Sequence, residues 1–379
     1  MSDLVPFDIQ LEIIKKLPII SLIRFRSVSK AWKSLIDGSK FIHNNCQHDN
    51  QPHHLLVSYY RKYVSIMDDD SFPQNKFYPT VPVTLNRPGY VIKVGCSNGI
   101  ICLLSMNSDI DCNTDMAVLW NPTIRKSVGI AIPNVLCMPH GYTVIGFGVC
   151  PNTNDPKLIK ITLIKSSGTD IINCVSWEAE MFTLSSGDWR SIPIGMPSKR
   201  TELLWSHVFV NGVIYWCAND WVNAGGENKH NRIISFDLRS EEFGEVFLSD
   251  SLVRSTEDLF VSKLMDSLVV IERYFENGEL VCAVWKMNQN VLKSFTKLYT
   301  VKASDAAFLN RVLEFRKNGE PIIEGFDESG SIILEVYDPC AKHVRDLKLD
   351  GNDVSFTSCF MSSYTETLAL LHQSGAIIH

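Results

Sequence analysis

The sequence predicts a small all-α segment of three helices followed by a large all-β domain, a kelch-like β-propeller of six blades within a range of five to seven. Three observations predict this class. Apolar residues recur at helical spacing before residue 45, and Asn-Gly turns separate strand-like runs after residue 55. A strand that ends in an aromatic residue also recurs about every 50 residues, the period of kelch-like blades.

The first helix is predicted by Ile9, Ile13 and Leu17, which recur at four-residue spacing and so form one apolar stripe. Pro6 suits the first turn of this helix and Pro18 the start of a second, because proline needs no backbone N–H partner there. So short a segment carries apolar residues on several sides. We therefore expect it to bury part of them against another protein.

The second and third helices have Ser21 and Ser29 as candidate N-caps, since a serine hydroxyl can accept a hydrogen bond from a first-turn amide. We place this helical domain at residues 1–45. The polar stretch 46–54 has no periodicity and is predicted to be a linker. The β domain then covers residues 55–379.

The β domain is predicted first from its turns. Asn-Gly supplies two residues that tolerate positive φ, as a type I′ hairpin turn requires. Such pairs lie between apolar runs at Asn98-Gly99, Asn211-Gly212, Asn277-Gly278 and Asn318-Gly319. They predict four hairpins.

The repeat consists of an apolar strand ending in an aromatic, a turn and a second strand. The aromatics of the five copies are Trp120, Phe182, Phe236, Trp285 and Tyr337. We expect them to pack between blades. A further blade can form from residues 55–67 together with the C-terminal segment 367–378, because strands from both chain ends commonly complete the last blade of a propeller.

Composition limits the partners. The net charge is −6 and the pI is about 5.9, so we expect no nucleic acid. No run of 18 apolar residues occurs, so we expect no membrane span. Eleven cysteines without a CxxC pair predict neither a disulfide framework nor a metal site, but a reducing cytoplasmic or nuclear location. Residues 1–42 hold seven Lys or Arg and four Asp or Glu, and this basic excess suits an acidic partner.

Residues 4–42 resemble an F-box. The family's pattern is matched in order by Val5-Pro6, Asp8-Ile9, Leu17-Pro18, Ser21-Leu22, Arg24-Phe25-Arg26, Val28-Ser29-Lys30, Trp32 and Phe41. Two positions differ, with Ile20 where the family usually has lysine and Lys40 where proline is common. The rest of the chain is similar to the plant F-box-associated interaction domain in VGCSNGIICL, LWNPTIRK, GFGVCPNTNDPKLIKI, AEMFTLSSGDWRSI, HVFVNGVIYW, ISFDLRSEEF and SFTKLYTV.

The resemblance implies the substrate-recognition subunit of an SCF-type cullin–RING ubiquitin ligase, without a catalytic group or cofactor of its own. The F-box then docks on a Skp-type adaptor, and through it on cullin and RING subunits, while the β domain holds an unidentified target protein. The predicted adaptor-binding residues are apolar and lie in the three helices: Pro6, Ile9, Ile13, Leu17, Pro18, Leu22, Ile23, Phe25, Val28, Trp32 and Leu35. Asn219, Asp220 and Trp221, beside a long polar loop, are the predicted target-binding residues.

Two other functions stay open. The chain can be a β-propeller module that binds a carbohydrate or small ligand and has no ligase role. It can also be a hydrolase, since residues 95–99 match G-x-S-x-G with Ser97 as nucleophile. That motif needs a helix after the serine, whereas the sequence IICLLS that follows predicts a strand. Adaptor co-purification, a thermal shift with ligand, or turnover lost in Ser97→Ala distinguishes the three.

Overall fold

The computed structural model describes most of the chain. The described residues are 5–38, 40–42, 51–59, 62–86, 90–106, 115–135, 141–165, 175–195, 201–221, 229–257, 259–288, 294–304, 308–347, 359–372 and 377–378. None of the helices within these ranges is long and apolar enough to span a lipid bilayer. Residues 43–50, which include most of the predicted linker 46–54, lie outside them.

Three helices come first: α1 (Phe7–Lys15), α2 (Ile19–Phe25) and α3 (Lys30–Ile36). Pro6 and Pro18 stand at the N-cap positions of α1 and α2 with extended backbones. The N-cap predicted for α3 is confirmed, since Ser29 Oγ accepts a hydrogen bond from the Trp32 amide at 3.1 Å. The cap predicted at Ser21 is wrong, because the extended backbone at Pro18 starts α2 at Ile19 and leaves Ser21 inside the helix.

Six sheets follow, which we number blades 1 to 6 along the chain. Blade 1 contains β1 (His53–Tyr59), β2 (Lys62–Met67), β3 (Lys76–Phe77) and β24 (Phe360–Thr365), and blade 2 contains β4 (Tyr90–Ser97), β5 (Ile100–Met106), β6 (Asp115–Asn121), β7 (Lys126–Ile132) and β25 (Ile377–Ile378). Blade 3 contains β8 (Gly141–Val149), β9 (Pro156–Lys165), β10 (Val175–Thr183) and β11 (Asp188–Ser191), and blade 4 contains β12 (Thr201–Val210), β13 (Val213–Trp221), β14 (Lys229–Asp237) and β15 (Glu242–Val246). Blade 5 contains β16 (Leu259–Leu264), β17 (Ser267–Glu276), β18 (Glu279–Met287) and β19 (Phe295–Val301), and blade 6 contains β20 (Phe308–Phe315), β21 (Pro321–Phe326), β22 (Ile332–Asp338) and β23 (His343–Asp346). A short helix, α4 (Asp250–Val253), connects blades 4 and 5.

These sheets confirm the predicted fold class, three short helices followed by a six-bladed β-propeller. In blades 2 to 6 the four consecutive strands pair in antiparallel register. The five repeated aromatics lie on the third strands of these blades, and all except the partly exposed Trp285 are buried. The period seen in the sequence is therefore the blade period.

Blade 1 takes its strands from both ends of the chain, as predicted, but its C-terminal strand is not the predicted segment 367–378. The order is β24-β1-β2-β3, so Phe360–Thr365 supplies the strand. Residues 367–378 are used elsewhere: Leu368 and Leu371 are buried with the helices, and Ile377–Ile378 pairs in parallel with β7. The blade begins at His53, two residues inside the predicted linker.

Polar contacts join the chain ends within blade 1. Ser65 Oγ on β2 and the Tyr364 hydroxyl on β24 form a hydrogen bond of 2.8 Å. The buried imidazole of His54 on β1 stacks on the Tyr364 ring and lies 3.3 Å from a carboxylate oxygen of Glu366. These contacts connect β24, near one end of the chain, to the consecutive strands β1 and β2 near the other.

Three of the four Asn-Gly pairs have positive φ at both residues, as predicted: Asn98-Gly99, Asn211-Gly212 and Asn277-Gly278. The fourth prediction is wrong in turn type. Only Gly319 has positive φ there, and Arg316 bonds both Gly319 and Glu320 across a longer loop.

The chain divides into two compact units. Unit 1 consists of Met1–Val57, Arg61–Ile132 and Ser362–His379, and so holds the helices and the first two blades. Unit 2 consists of Ser58–Tyr60 and Pro133–Met361 and holds blades 3 to 6. In unit 2, separate apolar cores lie between blades 3 and 4, between blades 4 and 5, and between blades 5 and 6, so blades 4 and 5 each bury both faces against neighbouring sheets.

Candidate functional site

The three helices have two apolar faces, which we treat in turn. The inner face is buried inside unit 1: Ile14, Ile19, Leu22 and Ile36 are each at most 2% exposed. Leu368 and Leu371, which follow β24, complete this cluster, and Ile124 from the turn between β6 and β7 packs against it. The chain's own C-terminal residues therefore cover this side of the helices.

Polar bonds fix the end of α3 on the same side. Asp37, which ends α3, accepts two hydrogen bonds from Arg26, at 2.5 Å from Nε and 2.9 Å from Nη2. The guanidinium lowers the pKa of the Asp37 carboxyl, mainly through these hydrogen bonds. The Asp37 carbonyl oxygen lies 2.8 Å from His372 Nε2. Side-chain and backbone bonds thus hold the C-terminal end of α3.

The outer face, by contrast, is apolar and exposed. Ile9 and Ile13 on α1 are 54% and 55% exposed, and Val28 after α2 is 68% exposed. Val5, Ile20 and Phe25 are exposed as well. Several large apolar side chains exposed on so short a segment favour a protein interaction site, a role that stays a prediction.

The predicted adaptor-binding residues fall into three groups. Pro6, Ile9, Ile13, Pro18, Phe25 and Val28 are exposed. Leu17, Ile23, Trp32 and Leu35 are half-buried and pack against the inner cluster. Leu22 is fully buried in that cluster, so its side chain supports the helices from inside. Their role in binding an adaptor stays a prediction.

One aromatic contact links the two sides of the helical segment. The rings of Phe25 on α2 and Trp32 on α3 lie 6.1 Å apart and tilted by 52°. Phe25 is exposed, whereas Trp32 also touches the inner cluster. Through this pair the packed inner cluster supports the exposed face.

The sequence analysis did not predict two exposed residues of the outer face. It also did not predict that Leu368 and Leu371 cover the inner face. Val5 lies just before α1, and Ile20 was noted only as a departure from the family pattern. The Ile19-Ile20 pair carried a signal, since two successive residues of a helix cannot both point inward on a narrow face. Nothing in the sequence assigned Leu368 and Leu371 to the helices, because segment 367–378 also suits a strand.

The predicted target-binding residues end strand β13. Asn219 is buried, and its Oδ1 has no hydrogen-bond partner among the described residues. Asp220 is engaged within blade 4, where its carboxylate lies 2.9 Å from Arg232, which also pairs with Glu245 at 3.1 Å. The backbone of Trp221 belongs to β13, but its side chain lies outside the described residues. Their role in target binding stays a prediction.

The hydrolase motif lacks the geometry that it needs, and the described part of the chain shows no metal-binding cluster. Ser97 is buried at the end of β4, and a hairpin turn leads into β5 rather than a helix. No group of three or more His, Cys, Asp or Glu among the described residues is placed to hold a metal ion. Burial raises the pKa of Cys217, Cys282 and Cys359 to about 12, so these thiols stay protonated and pack as small apolar groups.

Comparison with known proteins gives two family matches. Residues 3–44 match the F-box domain, and residues 85–338 match the F-box associated beta propeller domain. The second match covers more than half of the chain.

Named relatives agree with these matches. The F-box protein CPR1 of Arabidopsis thaliana is 26% identical over 316 residues, which cover 79% of this chain and 73% of that protein. The protein SUPPRESSOR OF NIM1 1 of the same plant is 27% identical over 271 residues, covering 68% of this chain and 67% of that protein. A third F-box protein of that plant is 24% identical over 360 residues and covers 92% of this chain and 83% of its own length.

Among solved structures, TolB from Acinetobacter baumannii has a TM-score of 0.44 and 9% identity, covering 86% of this chain and 70% of that one. A likeness this distant indicates nothing about function. The family matches are specific by comparison: an F-box at the helices and an F-box associated domain across the blades. The chain belongs to the family of F-box proteins that carry an F-box associated β-propeller domain.

Proposed function

We propose that this chain is the substrate-recognition subunit of an SCF-type cullin–RING ubiquitin ligase, working in the cytoplasm or nucleus. Its F-box docks on a Skp-type adaptor, which connects it to the cullin and RING subunits. Its β-propeller holds a target protein. The chain itself catalyses nothing, since ubiquitin transfer takes place on the conjugating enzyme.

One observation carries this proposal: the outer face of the helices is apolar and uncovered, whereas the inner face is closed by the chain itself. Ile9, Ile13, Phe25 and Val28 lie on two helices and the turn after α2, and all four are exposed. Such an exposed apolar surface adds nothing to the stability of an isolated folded domain. A partner that covers it gains about 25 cal/mol for each Å² of apolar area removed from water.

Charge supports an acidic partner. Among the seven basic residues of the helical segment, Lys15 pairs with Glu12 and Arg26 pairs with Asp37. The other five, which are Lys16, Arg24, Lys30, Lys33 and Lys40, are all exposed. A positive surface of this kind steers an acidic partner into register and speeds its association.

The mechanism that follows is tethering. A target bound to the β-propeller has its lysines held close to the charged conjugating enzyme at the far end of the ligase. Their effective concentration there exceeds the bulk concentration, so a bimolecular encounter becomes an intramolecular one. Two binding surfaces on one chain suffice for this.

The test is binding of the full chain to a purified Skp-type adaptor, with Ile13→Asp as the variant. Ile13 is 55% exposed, so a charge there leaves the fold intact but places an unpaired carboxylate inside an apolar interface. We expect the dissociation constant to rise by about 30-fold or more, the effect of losing an interface hot spot. Isothermal titration calorimetry measures it.

Val83→Asp is the matched control, because Val83 is also an exposed apolar residue but lies in a 3-10 turn of the β domain, outside the helices. It should bind the adaptor as the wild type does. A folded wild-type chain that does not bind the adaptor would contradict the proposal and favour a binding module without a ligase role. Equal loss in both variants would show that the outer face is not the contact.

A further inference from the structure

The residues that follow β24 connect the F-box to blade 2, and we define Thr367–His372 as the C-terminal clasp. Leu368 and Leu371 of the clasp are buried in the inner cluster of the helices. The carbonyl oxygen of Asp37 at the end of α3 lies 2.8 Å from His372 Nε2. One short segment therefore touches both the core of the F-box and the end of its third helix.

The other side of the clasp is attached to blade 2 by Asn121. This residue ends β6, and its side chain is fully buried. Its Nδ2 donates to the carbonyl oxygens of Thr367 at 3.0 Å and Ala369 at 2.8 Å. Its Oδ1 accepts from the Thr123 amide at 3.0 Å, which fixes the side chain in the turn. Asn121 thus bonds the clasp and its own turn at once.

Two further parts of blade 2 meet the same segment. Gly99, in the turn between β4 and β5, lies so close that a Cβ there would be 2.3 Å from the Thr365 carbonyl oxygen. Ile124, three residues after Asn121, packs against the inner cluster of the helices. The turns after β4 and after β6 both lie at the end of blade 2 where the clasp leaves β24.

We propose that Asn121 and the C-terminal clasp form a joint that fixes the orientation of the F-box on blade 2. The interaction is intramolecular. The chain's own residues 367–372 bind the inner face of the F-box. If the proposed ligase function holds, Asn121, Leu368 and Leu371 are positioning residues for ubiquitin transfer, since they set how the adaptor-binding face sits on the β domain. The joint itself does not depend on that function.

The packing explains why a rigid attachment forms at this place. Leu368 and Leu371 are nearly inaccessible, and the backbone oxygens of Thr367 and Ala369 already have a side-chain donor in Asn121. Separating the helices from the clasp would expose both leucines and much of the inner cluster to water. Small rotations also meet resistance, because interdigitated cores deform poorly.

The test measures a distance distribution in the full chain, without adaptor. One nitroxide amino acid replaces Lys33, exposed on α3, and another replaces Arg125, exposed in the turn between β6 and β7. Pulsed electron paramagnetic resonance then reports how freely α3 moves on blade 2. We expect a narrow distribution in the wild type and at least about a doubling of its width in Leu371→Ala.

Leu334→Ala is the matched control, since Leu334 is as buried as Leu371, at 6% exposure, but lies on β22 of blade 6. It should lower the melting temperature and leave the distribution narrow. Leu371→Met should restore the narrow distribution, because methionine fills a similar volume. If Leu371→Ala does not melt cooperatively, Leu371→Val provides the smaller perturbation. The proposal of a joint would be overturned if the distance distribution of a folded Leu371 variant kept the wild-type width. It would also be overturned if the wild-type distribution were as broad as that of the variant.

The adaptor experiment is separate, so the two ideas can fail independently. If the wild-type chain has a narrow distance distribution but does not bind the adaptor, the proposed function is rejected and the proposed joint stands. The positioning role has its own readout in the assembled ligase, the set of the chain's own lysines that receive ubiquitin. We expect Leu371→Ala to spread ubiquitin over more lysines. The same lysine pattern as in the wild type would overturn the positioning role.

Discussion

Two adjacent isoleucines in the helices differ sharply in solvent exposure. Ile13 is 55% exposed and Ile14 is 2% exposed, although both lie in the same helix, α1. Successive helix residues point about 100° apart, so a helix with isoleucine at both positions must present one of them away from the packed side. The inner face takes Ile14 because the C-terminal clasp covers it, and Ile13 stays exposed on the outer face.

Glycine in the Asn-Gly turns serves two purposes that can be separated by experiment. Gly99 and Gly278 have φ of +70° and +87°, so alanine at either position is strained by about 1–2 kcal/mol. Nothing lies within 4 Å of a Cβ at Gly278, whereas at Gly99 it would meet the Thr365 carbonyl oxygen. We expect Gly99→Ala to cost a further 1–3 kcal/mol, roughly the cost of overpacking.

Urea unfolding of the two variants measures this difference, and Gly278→Ala is the control for strain alone. If Gly99→Ala and Gly278→Ala lower the free energy of unfolding equally, the chain beside Gly99 shifts to accommodate the added methyl group. In that case the close packing at Gly99 does not fix the position of the segment that follows β24.

At the level of elements, α3 owes its start to a local bond and its end to distant contacts. Ser29 caps it with a bond to the Trp32 amide, three residues away. Its C-terminal end depends on Arg26, just after α2, and on His372, which is 335 residues from Asp37. A short helix of this kind is too brief to persist without such support.

The cap of α3 gives a prediction at this scale. Ser29→Ala removes the acceptor for the Trp32 amide and should destabilise the helix by about 1 kcal/mol. Ser21→Ala is the control, since Ser21 lies inside α2, where alanine is the better helix former. Amide hydrogen exchange should become faster in α3 of Ser29→Ala and stay unchanged or become slower in α2 of Ser21→Ala. Faster exchange of α2 in the second variant would restore Ser21 as a cap.

For the whole molecule, closure of blade 1 depends on strands that are far apart in sequence. The β24 strand is hydrogen-bonded to β1, and the Ser65–Tyr364 bond spans 299 residues. Such long-range pairing must be complete before the edge of β1 is protected. The C-terminal residues are therefore part of the β domain's first blade as well as of the F-box joint.

Two truncations test this dependence. A chain that ends at Cys359 lacks β24 and the C-terminal clasp, and we expect it to aggregate or to lose its cooperative melting transition. A chain that ends at His372 keeps both and, of the strands in the described residues, loses β25, which pairs with β7 of blade 2. Its melting temperature, followed by circular dichroism, should stay close to that of the full chain. Cooperative melting of the shorter chain at the full-length temperature would contradict the role of β24.

The sequence by itself determined the class of fold and the family, and it limited the blades to between five and seven; the structure has six. Asn-Gly turns, cap residues such as Ser29 and the blade aromatics act through local backbone preference or through a short period, so they can be recognised without knowing any distant contact. Most of the exposed members of the outer face were also among the predicted residues. Their role in adaptor binding still depends on experiment.

Only the tertiary structure decided how segment 367–378 is used. Its apolar residues suit a strand, and no local signal distinguishes a blade strand from a segment that covers helices. The choice depends on Leu368 and Leu371 meeting Ile14 and Leu22, about 350 residues earlier in the chain, and on Asn121 binding the clasp's backbone. It was made by burial and hydrogen bonding between parts of the chain that are remote in sequence, which is why periodicity could not predict it.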